Sequence, residues 1–315
     1  SAQAYAGRNQ VEQGRQPTGG SFDFELPAAA ATDLRFTYTP GLLLQQSALM
    51  LDKLAPAFDA DTAWDAALAA QASDVGHDAN LQWWLPISTG MLSDGGFATV
   101  KLSTGDRSTQ ILQQAGSTLA VQPGGSVSLS ASRVTVLGEI SAPAGSIDLV
   151  SVGPGVVTPA MQANDGSTLR PDITVGNGAA LSTRGLWVND GGLAADQRTG
   201  DRYINGGSIS LAASIAHDAS NQDLSGSVLL QAGSTLDVSG GGYVQPDRQV
   251  LMANGVPAGH GGDISLVTYG NASTQEQQPD RLDGGRLGLD GKLLGYGFSG
   301  GGTLSLQANY IQVGG

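Results

Sequence analysis

The chain has 315 residues, a formal net charge of -13 with only 15 Lys and Arg, 47 Gly, no Cys and 5% aromatic residues. No Lys/Arg cluster is available for nucleic acid or anionic lipid, disulfides and thiolate metal sites are excluded, and no apolar run approaches the roughly 18 residues of a membrane span. At 40% hydrophobic residues the chain is too apolar for a glycine linker, so its glycine reads as geometry rather than disorder.

Residues 1–20, "SAQAYAGRNQVEQGRQPTGG", are polar and gain order only by docking. "SFDFEL" (21–26) and "DLRFTY" (33–38) alternate apolar and polar residues, as two short strands do. "GLLLQQSALMLDKLAP" (41–56) and "DADTAWDAALAAQAS" (59–73) are rich in Leu and Ala without β-branching. They predict two helices, with Pro40 ahead of the first, Pro56 closing it and Asp61 as N-cap of the second. Residues 1–90 are therefore expected to be a partly helical N-terminal extension, either a cover for the rest or a partner-binding insertion.

From about residue 91 one phrase recurs: Gly, any residue, an aliphatic residue, any residue, Leu. It stands at 125–129 (GSVSL), 145–149 (GSIDL), 207–211 (GSISL), 226–230 (GSVLL), 262–266 (GDISL), 285–289 (GRLGL) and 302–306 (GTLSL), with a looser form, "GGFATVKL", at 95–102. The two apolar residues are always two apart, which puts both on one face of a strand. The eight leucines are Leu102, Leu129, Leu149, Leu211, Leu230, Leu266, Leu289 and Leu306. Four of their seven spacings lie around 20 residues, the length of one solenoid turn with three short strands. Second strands often follow, as in "TLAVQP" (118–123), "RVTVLG" (133–138) and "TLDVSG" (235–240).

This predicts an all-β chain, a β-solenoid over 91–315, in which the same inward position of every turn stacks on its equivalent. All eight leucines are expected in one column. About nine to eleven turns, fewer once loops are subtracted, rising about 4.8 Å each give a rod of about 40–50 Å. Polar stretches at 153–177, 186–205, 241–261 and 270–283 interrupt the phrase and are expected to be surface loops, the place for binding.

Catalytic chemistry is hard to find. His77, His217 and His260 are the three histidines and lie far apart in sequence, so no transition-metal site and no cofactor is expected. "GHGGDISL" (259–266) has the local look of the Gly-His-Gly turn of polygalacturonases. Its nearest upstream acids, Asp237 and Asp247, stand alone, whereas glycoside hydrolysis needs paired carboxylates. His260 thus reads as a corner residue. Asp190, Asp196 and Asp201 share the loop "VNDGGLAADQRTGD" (188–201) without matching an EF-hand, and read as a solvated acidic loop. Trp83, Trp84 and Trp187 are the candidate binding residues, each able to stack on a sugar ring.

"GSTLDVSGGG" (233–242), "GHGGDISL" (259–266) and "GRLGLDGKLLGYGFSGGGTLSLQANYIQVGG" (285–315) resemble the passenger repeats of filamentous haemagglutinin-like large exoproteins, the secreted partners of bacterial two-partner secretion systems. The resemblance covers about 91–315 and implies a right-handed parallel β-helix. It also implies export through an outer-membrane transporter to the surface of a Gram-negative cell. The family's secretion domain carries Asn-Pro-Asn motifs, which this chain lacks; an interior segment of a longer rod is therefore expected. What the resemblance implies for function is a cell-surface adhesin or stalk segment without catalysis, meeting a host or bacterial receptor or glycan. The alternative is a carbohydrate-active β-helix enzyme, a polysaccharide lyase or hydrolase.

Overall fold

The computed structural model describes residues 19–26, 41–46, 84–104, 109–153, 155–156, 170–219, 223–269 and 285–314. The described chain is all-β apart from two short helical turns, and its three main sheets are parallel throughout. The first sheet has seven strands, Ser21–Leu26, Thr99–Thr104, Ser126–Ala131, Ser146–Ser151, Ser208–Ala212, Asp263–Val267 and Thr303–Gln307, whose order in space is their order in the chain. The second has eight, beginning with Trp84–Ser88 and Gly41–Gln45 and continuing through Gln110–Gln113, Arg133–Val136, Ile173–Val175, Val228–Leu230, Arg286–Leu289 and Tyr310–Val313. The third has five, Thr118–Ala120, Glu139–Ser141, Ala180–Ser182, Thr235–Asp237 and Lys292–Leu294. From Thr99 onward the chain visits the first, second and third sheets in rotation and returns to each one strand further along.

The alternation of the recurring phrase explains the core. In the first sheet Phe24, Leu102, Leu129, Leu149, Leu211, Leu266 and Leu306 stand in one register column. Phe22, Val100, Val127, Ile147, Ile209, Ile264 and Leu304 form the column beside it. Except at the two ends these side chains are buried. The second sheet contributes Leu42, Ile111, Val134, Ile173, Val228 and Leu287, and the third Leu119, Ile140, Leu181, Leu236 and Leu293. All three sets belong to one continuous apolar cluster. Polar side chains enter it too: Gln113, fully buried, donates from Nε2 to the carbonyls of Glu139 at 2.9 Å and Ser117 at 3.3 Å.

Six of the eight phrase leucines share the first-sheet column; Leu230 and Leu289 do not. Both lie in the second sheet, in register with Val136 and Val175. The cause is that inner pairs of both sheets are spaced by two, so spacing alone does not tell one sheet from the next. "GGFATVKL" proves regular, since Ala98 occupies the glycine position and Thr99–Thr104 pairs without a shift. The interval of 62 residues between Leu149 and Leu211 spans a single step between neighbouring strands. Residues after 95 therefore contribute six first-sheet strands, and the whole sheet extends about 29 Å at roughly 4.8 Å per step. The number falls below nine to eleven because single circuits absorb long insertions.

Before residue 90, Gly41–Gln45 is a strand where a helix was expected to begin; the rest of both expected helices, and the expected strand at 33–38, lie outside the described residues. Leu42, Leu43 and Leu44 are all buried. A strand covered on both faces loses its alternation and reads as a continuous apolar run. The strands Ser21–Leu26, Gly41–Gln45 and Trp84–Ser88 belong to the same two sheets as the later ones.

At the N-terminal end the edge of the third sheet is covered. The helix Thr89–Asp94, capped by Ser88 Oγ on the Met91 amide, brings Ser93 beside the first strand of the third sheet. The Ser93 hydroxyl accepts from Ala120 N at 2.8 Å and donates to Thr118 O, while Gln46 Oε1 accepts from Thr118 N at 2.7 Å. At the other end Leu304, Leu306, Ile311 and Val313, all in core columns, are exposed by 39–72%.

Segments joining the second sheet to the third never exceed four residues (114–117, 137–138, 176–179, 231–234 and 290–291). Two of them carry the identical phrase "QAGSTL", and in both the serine hydroxyl, Ser117 or Ser234, donates 2.7 Å to the carbonyl three residues back. Long insertions are confined to the other two corners. One of these bears the glycine of the phrase: a Cβ on Gly145 would collide with the carbonyl oxygen of Gly125, and one on Gly207 with that of Gly145.

Two outcomes are expected from this packing, both read as shifts in urea midpoint. Leu149→Ala costs about 2–5 kcal/mol, as a fully buried Leu truncation does, whereas Leu306→Ala, at the open end of the same column, costs well under half as much. Gly145→Ala costs about 1–3 kcal/mol by overpacking against main chain, while the neighbouring Ser146→Ala is near neutral.

Candidate functional site: a lateral lobe

The corner from the third sheet back to the first is short early in the chain (121–125 and 142–145). It lengthens to 183–207 and 238–262, then shortens to 295–302. The two long segments fold on each other. Trp187–Asn189 pairs in parallel with Gly242–Val244, and Met252–Ala253 pairs with Val256–Pro257 in a hairpin. The hairpin turns on Asn254 (φ 51) and Gly255 (φ 83), the left-handed pair favoured in two-residue turns. Val188, Ile204, Tyr243 and Ala258 are buried together, with Leu186, Leu251 and Ala253 against them, as a second apolar cluster apart from the main core.

Asp190 ties this lobe together. It is 1% exposed, and its carboxylate accepts from Gly200 N at 2.7 Å, Thr199 N at 3.1 Å and the Tyr243 hydroxyl at 3.0 Å. Burial by itself pushes its pKa up. The hydrogen bonds from Gly200, Thr199 and Tyr243, with the charge of Arg198, outweigh burial and hold it below its ordinary value. Burial, and then the Asp190 carboxylate, push the Tyr243 phenol up. The solvated acidic loop expected here is thus corrected: Asp190 is an internal staple, while Asp196 and Asp201 are exposed. Among the described residues no three His, Cys, Asp or Glu side chains gather as a metal site.

The sequence candidates fall in separate places. Trp83 and His77 lie outside the described residues. Trp84 opens the outermost strand of the second sheet, four strands from Ile173–Val175, the strand of Trp187's own circuit. At roughly 4.8 Å per strand that is about 19 Å along the sheet, so the structure does not bring Trp84 and Trp187 together. His217 lies at the other corner in a short strand paired with Gly155–Val156. His260 is exposed on the turn before Asp263–Val267. Its N–H meets Asn205 Oδ1 at 3.2 Å, and its Nδ1 lies 2.8 Å from the Gly261 carbonyl.

Trp187 stands on the outside of the lobe, 57% exposed. Its six-membered ring rests on Gly242, where any side chain would strike it. Phe298, 52% exposed, meets it edge-on, with ring centroids 5.6 Å apart and an interplanar angle of 80°. Phe298 arrives from the 295–302 loop, which closes by Gly302 N to Gly295 O at 2.7 Å. It is also tied to the preceding circuit by Ser299 N to Gly259 O and Gly261 N to Gly300 O. Sequence reading missed Phe298 because its partner is 111 positions away; it also missed the hairpin, taking 241–261 for a surface loop, although "NG" at 254–255 could have marked the turn.

Comparison with protein-family models, curated proteins and solved structures finds no match for this chain.

The staple makes the lobe pH-dependent. Because the folded-state pKa of Asp190 lies below its ordinary value of 3.8, its contribution is complete above that value and is lost as pH falls through the lower, folded one. The stability gap between the wild type and Asp190→Asn, measured by urea midpoint, therefore narrows as pH is taken from 7 down through about 4 and below. At pH 7 Tyr243→Phe is expected to cost about 1.5–3 kcal/mol, the range for a hydrogen bond to a charged group.

Proposed function

We propose that the three sheets close into a right-handed parallel β-helix. In this reading the protein is a secreted adhesive segment, a rod whose lateral lobe meets a receptor or glycan on another cell, without catalysis. The observation that carries it is the in-register column from Leu102 to Leu306 in a wholly parallel sheet, entered each time through the same corner residue, Ala98 at 98 and Gly at 125, 145, 207, 262 and 302. A stack of this kind lengthens by adding circuits and displays whatever a corner carries. The likeness of its phrases to filamentous haemagglutinin-like exoproteins supports the same reading, with residues 91–315 as an interior passenger segment exported by an outer-membrane transporter. The lobe at 183–207 and 238–262 supports a contact role, since it has its own apolar cluster and presents Trp187 to solvent, with Phe298 of the following corner against it. Contacts of this size are weak singly and become effective through many copies on one surface.

The test is adhesion without turnover. Beads coated with the protein are expected to adhere to a subset of bacterial or epithelial cells, and uncoated beads are not. Incubation with neutral and acidic polysaccharides is expected to yield no new reducing ends and no unsaturated sugars. Reproducible cleavage of one polysaccharide, abolished by replacing a single carboxylate, would overturn this reading in favour of the enzyme.

A further inference from the structure

We propose that Trp187 and Phe298 form a stacking ledge for a neutral pyranoside, with His260 as the polar group at its rim. The proposal rests on the adhesive reading above and names the ligand class of its lobe. Two large rings meet at one point on the surface with each more than half exposed, as is Tyr296 two residues from Phe298, and each forgoes the burial that normally rewards such side chains.

The rings are held for contact rather than left loose. Trp187 is fixed by its strand, paired residue for residue with Gly242–Val244, and by the glycine beneath its ring. Phe298 follows Gly297 and stands two residues before Gly300, and both glycines lie against His260: a Cβ on Gly297 would strike the His260 Cα, and one on Gly300 would come to 3.9 Å from its Cβ. Three successive circuits thus supply Trp187, His260 and Phe298 to one patch. Little side-chain freedom remains to be lost when a ligand lands, and this loss is a main cost of weak binding.

The chemistry of the patch selects the ligand. An edge-to-face aromatic pair offers ring faces to the C–H face of a pyranose. The Nδ1 of His260 is engaged with the Gly261 carbonyl, which leaves Nε2 of an exposed ring to hydrogen-bond a sugar hydroxyl. With a net charge of -13 the protein repels carboxylated and sulfated sugars at long range. A neutral hexopyranose chain satisfies all three conditions.

The experiment titrates the whole chain with neutral oligosaccharides (gluco-, galacto- and manno-oligomers) and with sialylated and sulfated ones, following tryptophan fluorescence and ligand-observed NMR. At least one neutral series is expected to bind. Trp187→Ala and Phe298→Ala should each weaken it about tenfold or more, Trp187→Phe should keep it within about threefold, and the Tm of each variant should stay within about 4 °C of the wild type. Absence of binding by every neutral sugar at millimolar concentration overturns the ledge, as does preference for anionic sugars or binding unaffected by Trp187→Ala. The same variants go into the bead assay. Wild-type beads that adhere while the wild-type protein binds no neutral sugar sink the ledge and leave the adhesive reading standing. Wild-type beads that adhere to nothing sink the adhesive reading, whatever the titration shows. Adhesion abolished by protease treatment of the target cells, with no sugar bound, assigns the lobe to a protein partner and overturns the ledge.

Discussion

Each return of the chain to the first sheet is fixed by one main-chain contact. The residue after the corner donates its N–H to the carbonyl of the corner residue one circuit earlier: Ser126 to Ala98, Ser146 to Gly125, Ser208 to Gly145, Asp263 to Gly207 and Thr303 to Gly262, at 2.8–3.0 Å. The backbones come so close that from Gly125 onward no side chain fits between them. That contact sets the phase of every strand that follows. A slip of one residue would turn Ile147 and Leu149 outward and Ser146 and Asp148 into the core. Because phase is reset at each return, what happens between returns is free to vary. The chain from Ser151 to Ser208 makes a far longer excursion than that from Ala131 to Ser146, yet both end in the same register.

This separation explains why part of the molecule was legible and part was not. The Gly-x-aliphatic-x-Leu phrase is the written form of the corner contact plus two inward side chains, and it revealed a parallel all-β chain and the column through Leu102, Leu129, Leu149, Leu211, Leu266 and Leu306. It misplaced Leu230 and Leu289 because the second sheet imposes the same two-residue spacing, and Gly226 also precedes a strand. There Gly226 abuts the Pro171 carbonyl, a different corner with the same residue preference. At Gly41–Gln45 the opposite failure occurred: burial on both faces erased the alternation that marks a strand.

The lobe was illegible for another reason. Its stability comes from pairs brought together by stacking and not by sequence proximity, such as Asp190 with Tyr243, Trp187 with Gly242 and Trp187 with Phe298. A buried carboxylate would ordinarily be costly; here three donors from two circuits satisfy it, so it fixes the 191–200 loop against the strand Gly242–Val244. In the sequence the same aspartate sits among polar residues and looks like any other in an acidic loop. Trp187 was visible as an exposed candidate only by type. Its setting, a ring seated on a glycine of the next circuit, depends on the vertical register.

The edges of the described sheets are covered unequally. At the start, Gln46 and Ser93 occupy the hydrogen-bonding edge of the third sheet; in the last described circuit the edge strands and the apolar columns lie open. Between those edges each first-sheet strand is bedded on a neighbour on either side, like a course of bricks. A lesion beside Leu149 therefore falls first on the strands of Leu129 and Leu211, and more distant circuits feel it only through them.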